Sequence, residues 1–226
     1  MFFGRRSTQA EYFDLPGRTE AETLEEFRDL DRLNRAFFFS KPFEEVLPPW
    51  LGKERCARLD FLDIGAGTGL LGQKLSAWAK KHGWDWRFTN LDANPSVLKF
   101  EQASPVVIGS ALKLPFADNS FDVVIASQMT HHLQDGEVVT HLREAWRVTR
   151  GAMLISDLHR NIGLYGMLSV LPHFLPVSRT VKADALISVK RGFHLEELRE
   201  LARKAGLTEA KVRLYYGTRI LLQAKK

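Results

Sequence analysis

The stretch F61-L-D-I-G-A-G-T-G-L-L-G72 runs from an apolar segment into four glycines and on into a helical pattern. Glycine tolerates positive φ and lets another group approach the backbone closely. The segment therefore predicts a strand-to-helix turn shaped around a ligand. Asp63 stands two residues before the first of these glycines, and Asp92 lies 20 residues beyond Gly72, at the end of the next apolar run.

Outward from this turn, short apolar runs alternate with amphipathic stretches. The runs are Leu59 to Ile64, Arg87 to Leu91, Val106 to Ile108, Phe121 to Ala126 and Met153 to Ile155. Between them lie helical patterns over Leu70 to Lys81, Pro95 to Ala103 and Gly136 to Thr149. Continuous apolar strands alternating with helices predict an α/β fold, a parallel sheet covered on both faces. A further helix over Leu195 to Ala205 precedes Lys211 to Tyr216 and Arg219 to Ala224. Only Gly217-Thr218 separates these two runs, so they form an antiparallel hairpin.

The N-terminal region is different. Thr19 and Glu22 make a capping box, and Leu24, Phe27, Leu30, Leu33 and Phe37 recur at helical spacing. A helix of about five turns follows, and Leu47-Pro48-Pro49-Trp50 reads as its breaker. Residues 1–50 are thus expected to form a helical cap, and residues 51–226 the main body of one compact domain.

Composition narrows the functional classes. The chain has 226 residues and a single cysteine, Cys56, so it has no internal disulfide, and no Cys/His spacing resembles a zinc site. A reducing, cytoplasmic setting without a metal is expected. The N-terminus lacks the pattern of an export signal. The apolar stretch 162–177 is interrupted by Pro172, His173 and Pro176 and is shorter than the ~20 residues a bilayer requires. It is expected to be a buried or lid helix. The net charge of +5 lies in the last third, which holds 13 Lys/Arg against 6 Asp/Glu. Clustered cations can follow phosphates, but Arg199, Arg203, Lys204 and Lys211 have the pattern of a solvated face, so a nucleic-acid partner is not expected.

The glycine turn satisfies two patterns at once. Gly67, Gly69 and Gly72 fit G-x-G-x-x-G, with Asp92 at the distance of a dinucleotide-binding acid. Asp63, Gly65, Gly67 and Gly69 fit D-x-G-x-G-x-G, the turn of S-adenosylmethionine-dependent methyltransferases. The motif alone leaves the cofactor open, but a carboxylate at Asp63 would welcome an ammonium group and repel a pyrophosphate. Downstream, G109-S-A-L-K-L-P-F-A-D-N-S-F-D-V-V-I-A-S127 followed by H131-H-L133 closely resembles the corresponding stretch of class I methyltransferases, and the resemblance covers roughly residues 55–226. It implies a Rossmann-like seven-stranded, mostly parallel sheet with an antiparallel C-terminal hairpin strand and the N-terminal helix as a lid.

That resemblance also implies a site for S-adenosylmethionine, with S-adenosylhomocysteine as product. Asp63, Gly65, Gly67 and Gly69 would line the methionine and ribose portions, Asp92 would hold the ribose diol, and Ala93 would lie beside the adenine. Ala111 and Leu112 would bracket the adenine ring, and Ser127 would flank the methionine. Ser110 stands where many members have an acid, which weakens adenine binding somewhat. Asp122 opens a strand and is expected to tie down neighbouring backbone.

The acceptor is less determined. A carbon or oxygen nucleophile must lose a proton, which suits histidine. His131 and His132 follow the fourth strand and His159 the fifth, on the side where ligands gather in an open sheet. His132 and Leu133 match a pair common across the family, which favours packing for His132. Asp157 and His159 are two apart and share a face of an extended chain, where the acid could orient the imidazole. Alternatively, Asp157 caps the next segment or pairs with Arg160. Residues 26–35, 156–161 and 184–193 resemble small bacterial methyltransferases associated with type III polyketide synthases. That implies a small apolar acceptor, phenolic or polyketide- or quinone-like, taken by a monomer or homodimer without a membrane span. An RNA or protein methyltransferase using the basic third, and a non-catalytic cofactor-binding protein, remain the alternatives.

Overall fold

The computed structural model describes residues 4–53, 58–100 and 103–226; Cys56 lies outside them. The chain opens with a short segment that contains a single 3-10 turn, Tyr12–Asp14, followed by α1 (Glu20–Ala36) and α2 (Lys41–Leu51). The sheet strands are then β1 (Leu59–Ile64), β2 (Trp86–Asp92), β3 (Val106–Ile108), β4 (Phe121–Ser127), β5 (Thr149–Leu158), β6 (Lys211–Tyr215) and β7 (Arg219–Lys225). Between them run α3 (Leu70–Lys81), α4 (Asp135–Val148), α5 (Ile162–Val170), α6 (Arg179–Arg191) and α7 (Leu195–Lys204).

The seven strands lie in the order β3-β2-β1-β4-β5-β7-β6. β7 runs antiparallel to both β5 and β6, and the other pairings are parallel. From β1 the chain winds outward through β2 and β3 and then returns to β4 on β1's other side. The reversal between β1 and β4 opens the crevice where open α/β sheets take their ligands.

Both sheet faces are apolar, as the uninterrupted strand sequences require. Phe61, Val123, Ile125 and Leu154 pack under α2 and α3, and Leu62, Ile64, Val124 and Ile155 pack under α4 and α7. Gly72 matters here because a Cβ there would lie 3.1 Å from the Phe88 side chain, so its absence sets how closely α3 approaches β2. Asp122 accepts the Asp60 N–H at 2.8 Å and pairs with Arg150, a structural tie between β1, β4 and β5.

α1 begins with the expected capping box, Glu22 N–H donating to Thr19 Oγ1 and Thr19 N–H to Glu22 Oε2. Two local expectations change. Pro48 and Pro49 do not break the chain but lie within α2, which continues to Leu51. Each proline removes one backbone donor, but the bonds forfeited belong to the last turns, where Glu45 faces solvent. Burial of Phe43, Val46, Leu47 and Leu51 holds the helix in place. The pattern over Pro95 to Ala103 yields only a 3-10 turn, Pro95–Lys99, capped by Asn94. Residues 101 and 102 of that pattern lie outside the described set.

The third apolar cluster builds the roof of the crevice. Leu158, Leu164, Leu168, Ala185 and Val189 pack with Leu33, Phe37, Tyr165 and Met167, joining α1, α5 and α6 over the carboxyl ends of the strands. Asp29 on α1 accepts the Ser178 N–H at the start of α6 at 2.6 Å.

Candidate active site

A cavity of about 430 Å³ lies beneath this roof. At its polar end the glycine turn leaves β1. Gly65 has φ +70°, and a Cβ there would come within 2.3 Å of Met129 Cγ, so only glycine fits. Asp92 closes the turn by accepting the Gly67 N–H at 2.8 Å and the Asn94 N–H at 2.9 Å. Its oxygens retain lone pairs toward the cavity for a diol. Gly69 is not in the cavity wall. In left-handed conformation, φ 76°, it starts α3 instead.

Asp63 is buried with Oδ2 lacking any hydrogen-bond partner among the described residues, and it faces the cavity. Burial, reinforced by the charge of Asp92, pushes its carboxyl up to about 8. Asp92 is raised by burial as well, against the donors that hold it down. Ser127 Oγ is likewise buried without a partner. Two unsatisfied polar atoms beside a glycine cradle fit a ligand that carries an ammonium group and a carboxylate at one end and a diol further along. Ala93, Ser110, Ala111 and Leu112 line the adjoining wall, with Ser110 Oγ accepting the Leu112 N–H at 3.1 Å.

The other half of the cavity is apolar and is walled by Phe13, Phe27, Leu33, Phe37, Leu164 and Met167. α1 is anchored over it by two polar contacts. Thr68 Oγ1 donates to Asp31 at 2.8 Å, and Gln128 Nε2 donates to Asn34 at 2.9 Å.

On the wall between the halves the structure pairs Asp157 with His131, not with His159. His131 Nδ1 lies 2.7 Å from Asp157 Oδ1, and Asp157 Oδ2 accepts the His131 backbone N–H at 3.0 Å. His159 instead turns toward the β6–β7 hairpin, where its Nδ1 lies 2.8 Å from the Gly217 carbonyl oxygen and 3.0 Å from Asn161 Nδ2. Neither Asp157 nor His159 lines the cavity, whereas His131 does. The strand ends at Leu158 and Asn161 caps α5, so the two-residue rule of an extended chain stops one residue short of His159. Arg160 pairs with Glu197 rather than with Asp157.

Glu11, from the segment before α1, also reaches this wall. Its Oε1 is 3.4 Å from His131 Nε2 and accepts the Ser188 hydroxyl at 2.8 Å. Its Oε2 is 3.7 Å from His132 Nε2, while His132 Nδ1 is 2.8 Å from Asp14. Burial alone would strip His131 of charge, but Asp157 and Glu11 outweigh it and push the imidazole up to about 10. Burial likewise opposes ionisation of Glu11, but the two histidines and Ser188 hold it down to about 2. Asp157 is lowered against burial by His131. Arg219, at the start of β7, lines the cavity with Nη1 buried and unpartnered among the described residues, and burial lowers it to about 10.

Glu11, Asp14 and Arg219 escaped the sequence reading. Glu11 and Asp14 lie in a stretch without periodicity, and Arg219 reads as an ordinary strand residue. The expected solvated face of α7 is present: Arg199 pairs with Glu196, and Arg203 and Lys204 pair with Glu200. Among the described residues no helix is long and apolar enough to cross a membrane.

Known proteins resemble this chain in part of its sequence and in its fold. Residues 62–155 match a family model described as a methyltransferase domain. A demethylmenaquinone methyltransferase from Roseiflexus sp. (strain RS-1) is 36% identical over 100 residues, covering 43% of this chain and 41% of the relative. The match therefore spans less than half of either protein. Among solved structures, a SAM-dependent methyltransferase from Aquifex aeolicus superposes with TM-score 0.61 at 16% identity, over 92% of this chain and 99% of that one. An O-methyltransferase family 2 protein from Planctomyces limnophilus DSM 3776, in complex with apigenin, gives TM-score 0.61 at 21% identity, over 94% and 63%. The fold is that of the class I methyltransferases. The sequence match to a methyltransferase domain covers residues 62–155, less than half of the chain.

Proposed function

We propose that the protein methylates a small, largely apolar acceptor of phenolic, polyketide or quinone type, on oxygen or on an activated ring carbon. The observation that carries this is the division of a single cavity. The glycine turn, Asp63, Asp92 and Ser127 occupy one end and an aromatic and aliphatic chamber the other, with polar groups converging on the wall between. S-adenosylmethionine supplies an electrophilic methyl group on its sulfonium. The protein's own contribution is chiefly positioning, which can supply several kcal/mol of the barrier. Asp63 and Ser127 hold the amino-acid end, and Asp92 holds the diol. The roof of α1, α5 and α6 excludes water from the chamber.

Arg219 offers a buried guanidinium whose Nη1 has no hydrogen-bond partner among the described residues, suited to an acceptor oxygen that becomes anionic as its proton leaves. The named relatives support the acceptor class, one methylating a demethylmenaquinone and another solved with apigenin. The resemblance to the polyketide-associated group points the same way, and of residues 1–50 the segment before α1 and α1 itself act in this reading as cap, while α2 packs on the sheet. The test is a screen for S-adenosylhomocysteine release against phenols, alkylresorcinols, pyrones and quinone precursors. Turnover on at least one of these is expected. Tight cofactor binding with no turnover on any would favour a sensor or partner subunit instead.

A further inference from the structure

We propose that Glu11, His131 and His132 form a binding site for one divalent transition-metal ion, best suited to zinc, on the wall of the acceptor chamber. The three residues each offer one ligand atom, and these atoms all lie within 4.8 Å of one another. The distances are informative. Glu11 Oε1 is 3.4 Å from His131 Nε2 and Glu11 Oε2 is 3.7 Å from His132 Nε2. Both are longer than a good charge-assisted hydrogen bond, which closes to about 2.7–2.9 Å. Bonds of about 2.0–2.2 Å in tetrahedral array set ligand atoms roughly 3.3–3.6 Å apart; the His131 distance falls in that range and the His132 distance, to the other oxygen of Glu11, just beyond it.

The outer nitrogens are already arranged for such a site. His131 Nδ1 lies 2.7 Å from Asp157, and His132 Nδ1 lies 2.8 Å from Asp14. A carboxylate on the far nitrogen is the usual support of a metal-bound imidazole, since it fixes the ring and turns the opposite lone pair toward the ion. Here it does so twice, and both Nε2 atoms converge on one carboxylate. An ordinary ion-pair network would need one acid for each histidine. This wall holds three acids around two imidazoles, and the third, Glu11, is 4% exposed. Ser188 holds Glu11 Oε1 at 2.8 Å and so fixes its approach. Two histidines and one carboxylate make a donor set used by zinc with an open fourth position. All three residues line the chamber, so that position faces an incoming ligand.

The site would also tie the N-terminal segment to the loop after β4, because Glu11 comes from the former and both histidines from the latter. That the ion polarises an acceptor hydroxyl rests on the methyl-transfer reading. That the ion binds at all does not.

The test uses the full chain stripped with a chelator and titrated with Zn²⁺ by calorimetry, with Co²⁺ as a visible-absorption probe. One ion per chain is expected, with intense absorption bands of four- or five-coordinate Co²⁺. Glu11→Gln and His132→Ala are each expected to weaken binding at least tenfold, with folding verified by circular dichroism. Asp92→Ala is expected to lose S-adenosylhomocysteine while keeping the metal, which separates this site from the cofactor site. Absence of stoichiometric binding by the wild-type chain would overturn the proposal, and so would binding unchanged in the Glu11→Gln/His132→Ala double variant. Metal binding in a protein that methylates none of the screened acceptors would leave this site standing and remove the acceptor proposal.

Discussion

The two ends of the cavity are built by different means. The cofactor end is made largely of backbone: a glycine turn, a strand end, and two acids whose positions the sheet register dictates. The apolar end is made of side chains carried in from α1, α5, α6 and the segment before α1, far apart in sequence. Local rules therefore specify the first, and the second exists only once the whole chain has folded.

The largest expected effect breaks the cofactor end. Asp92→Ala removes the diol acceptor together with the bonds to Gly67 and Asn94. Hydrogen bonds to a charged group contribute about 1.5–3 kcal/mol each, so cofactor affinity should fall by about 100-fold or more, read by calorimetry. Unchanged affinity would sink the assignment of this turn.

Gly65→Ala should come next. It places a methyl against Met129 at a positive φ, and such strain costs on the order of 1–3 kcal/mol. The melting temperature should drop by several degrees and cofactor affinity should fall with it. A variant with wild-type melting and binding would show that the turn does not need glycine.

Asp63→Asn separates stability from binding. Asp63 is raised from an ordinary 3.8 to about 8, so the ligand-free folded state holds a proton that the unfolded state has released. Its favourable contribution is complete below about pH 4 and is lost as pH rises toward 8. Asn, which cannot ionise, should flatten that decline and raise the melting temperature at pH 8, while cofactor binding weakens because the ammonium loses its carboxylate. An unaltered pH dependence of melting would refute the buried-acid account.

Phe37→Ala tests the other end. Phe37 lines the chamber on the α1 side. The variant should raise KM for an apolar acceptor severalfold with cofactor affinity within about twofold, since about 25 cal/mol per Å² of apolar contact is lost. An equal fall in cofactor affinity would mean the two ends are not separable. The smallest effect is expected of His159→Ala, which should keep turnover within about twofold because its ring is held by the hairpin carbonyl of Gly217. A large loss of turnover would return His159 to the site.

Legibility in the sequence follows the same division. The strand β1, the helix α3 and the hairpin were readable because glycine punctuation and apolar periodicity act over a few residues. Asp63 and Asp92 were readable because they sit at fixed offsets from the turn. Glu11 was not, since nothing local marks it and its partners, His131, His132 and Ser188, lie far along the chain. His131 and His159 could be proposed as candidates, but choosing between them required knowing where β5 ends. The misread prolines of α2 have a similar cause: local propensity forecast a break, and burial against the sheet overrode it.

The loop after β4 is fastened from two sides. The guanidinium of Arg6 reaches the carbonyls of His131 and Leu133, and that of Arg191 reaches the carbonyls of His131 and His132. Arg6 also bonds the carbonyl of Arg191, and Arg191 that of Gln9. The N-terminal segment is thus stitched across the wall by charged donors, and peeling it back would strand several carbonyls at once. α5 packs on the roof through Leu164, Leu168, Tyr165 and Met167, with Lys190 over the Tyr165 ring and Ile162 75% exposed at its outer edge. The segment carrying Glu11 is thus the part of the chamber wall held by the most main-chain acceptors on charged donors among the described residues.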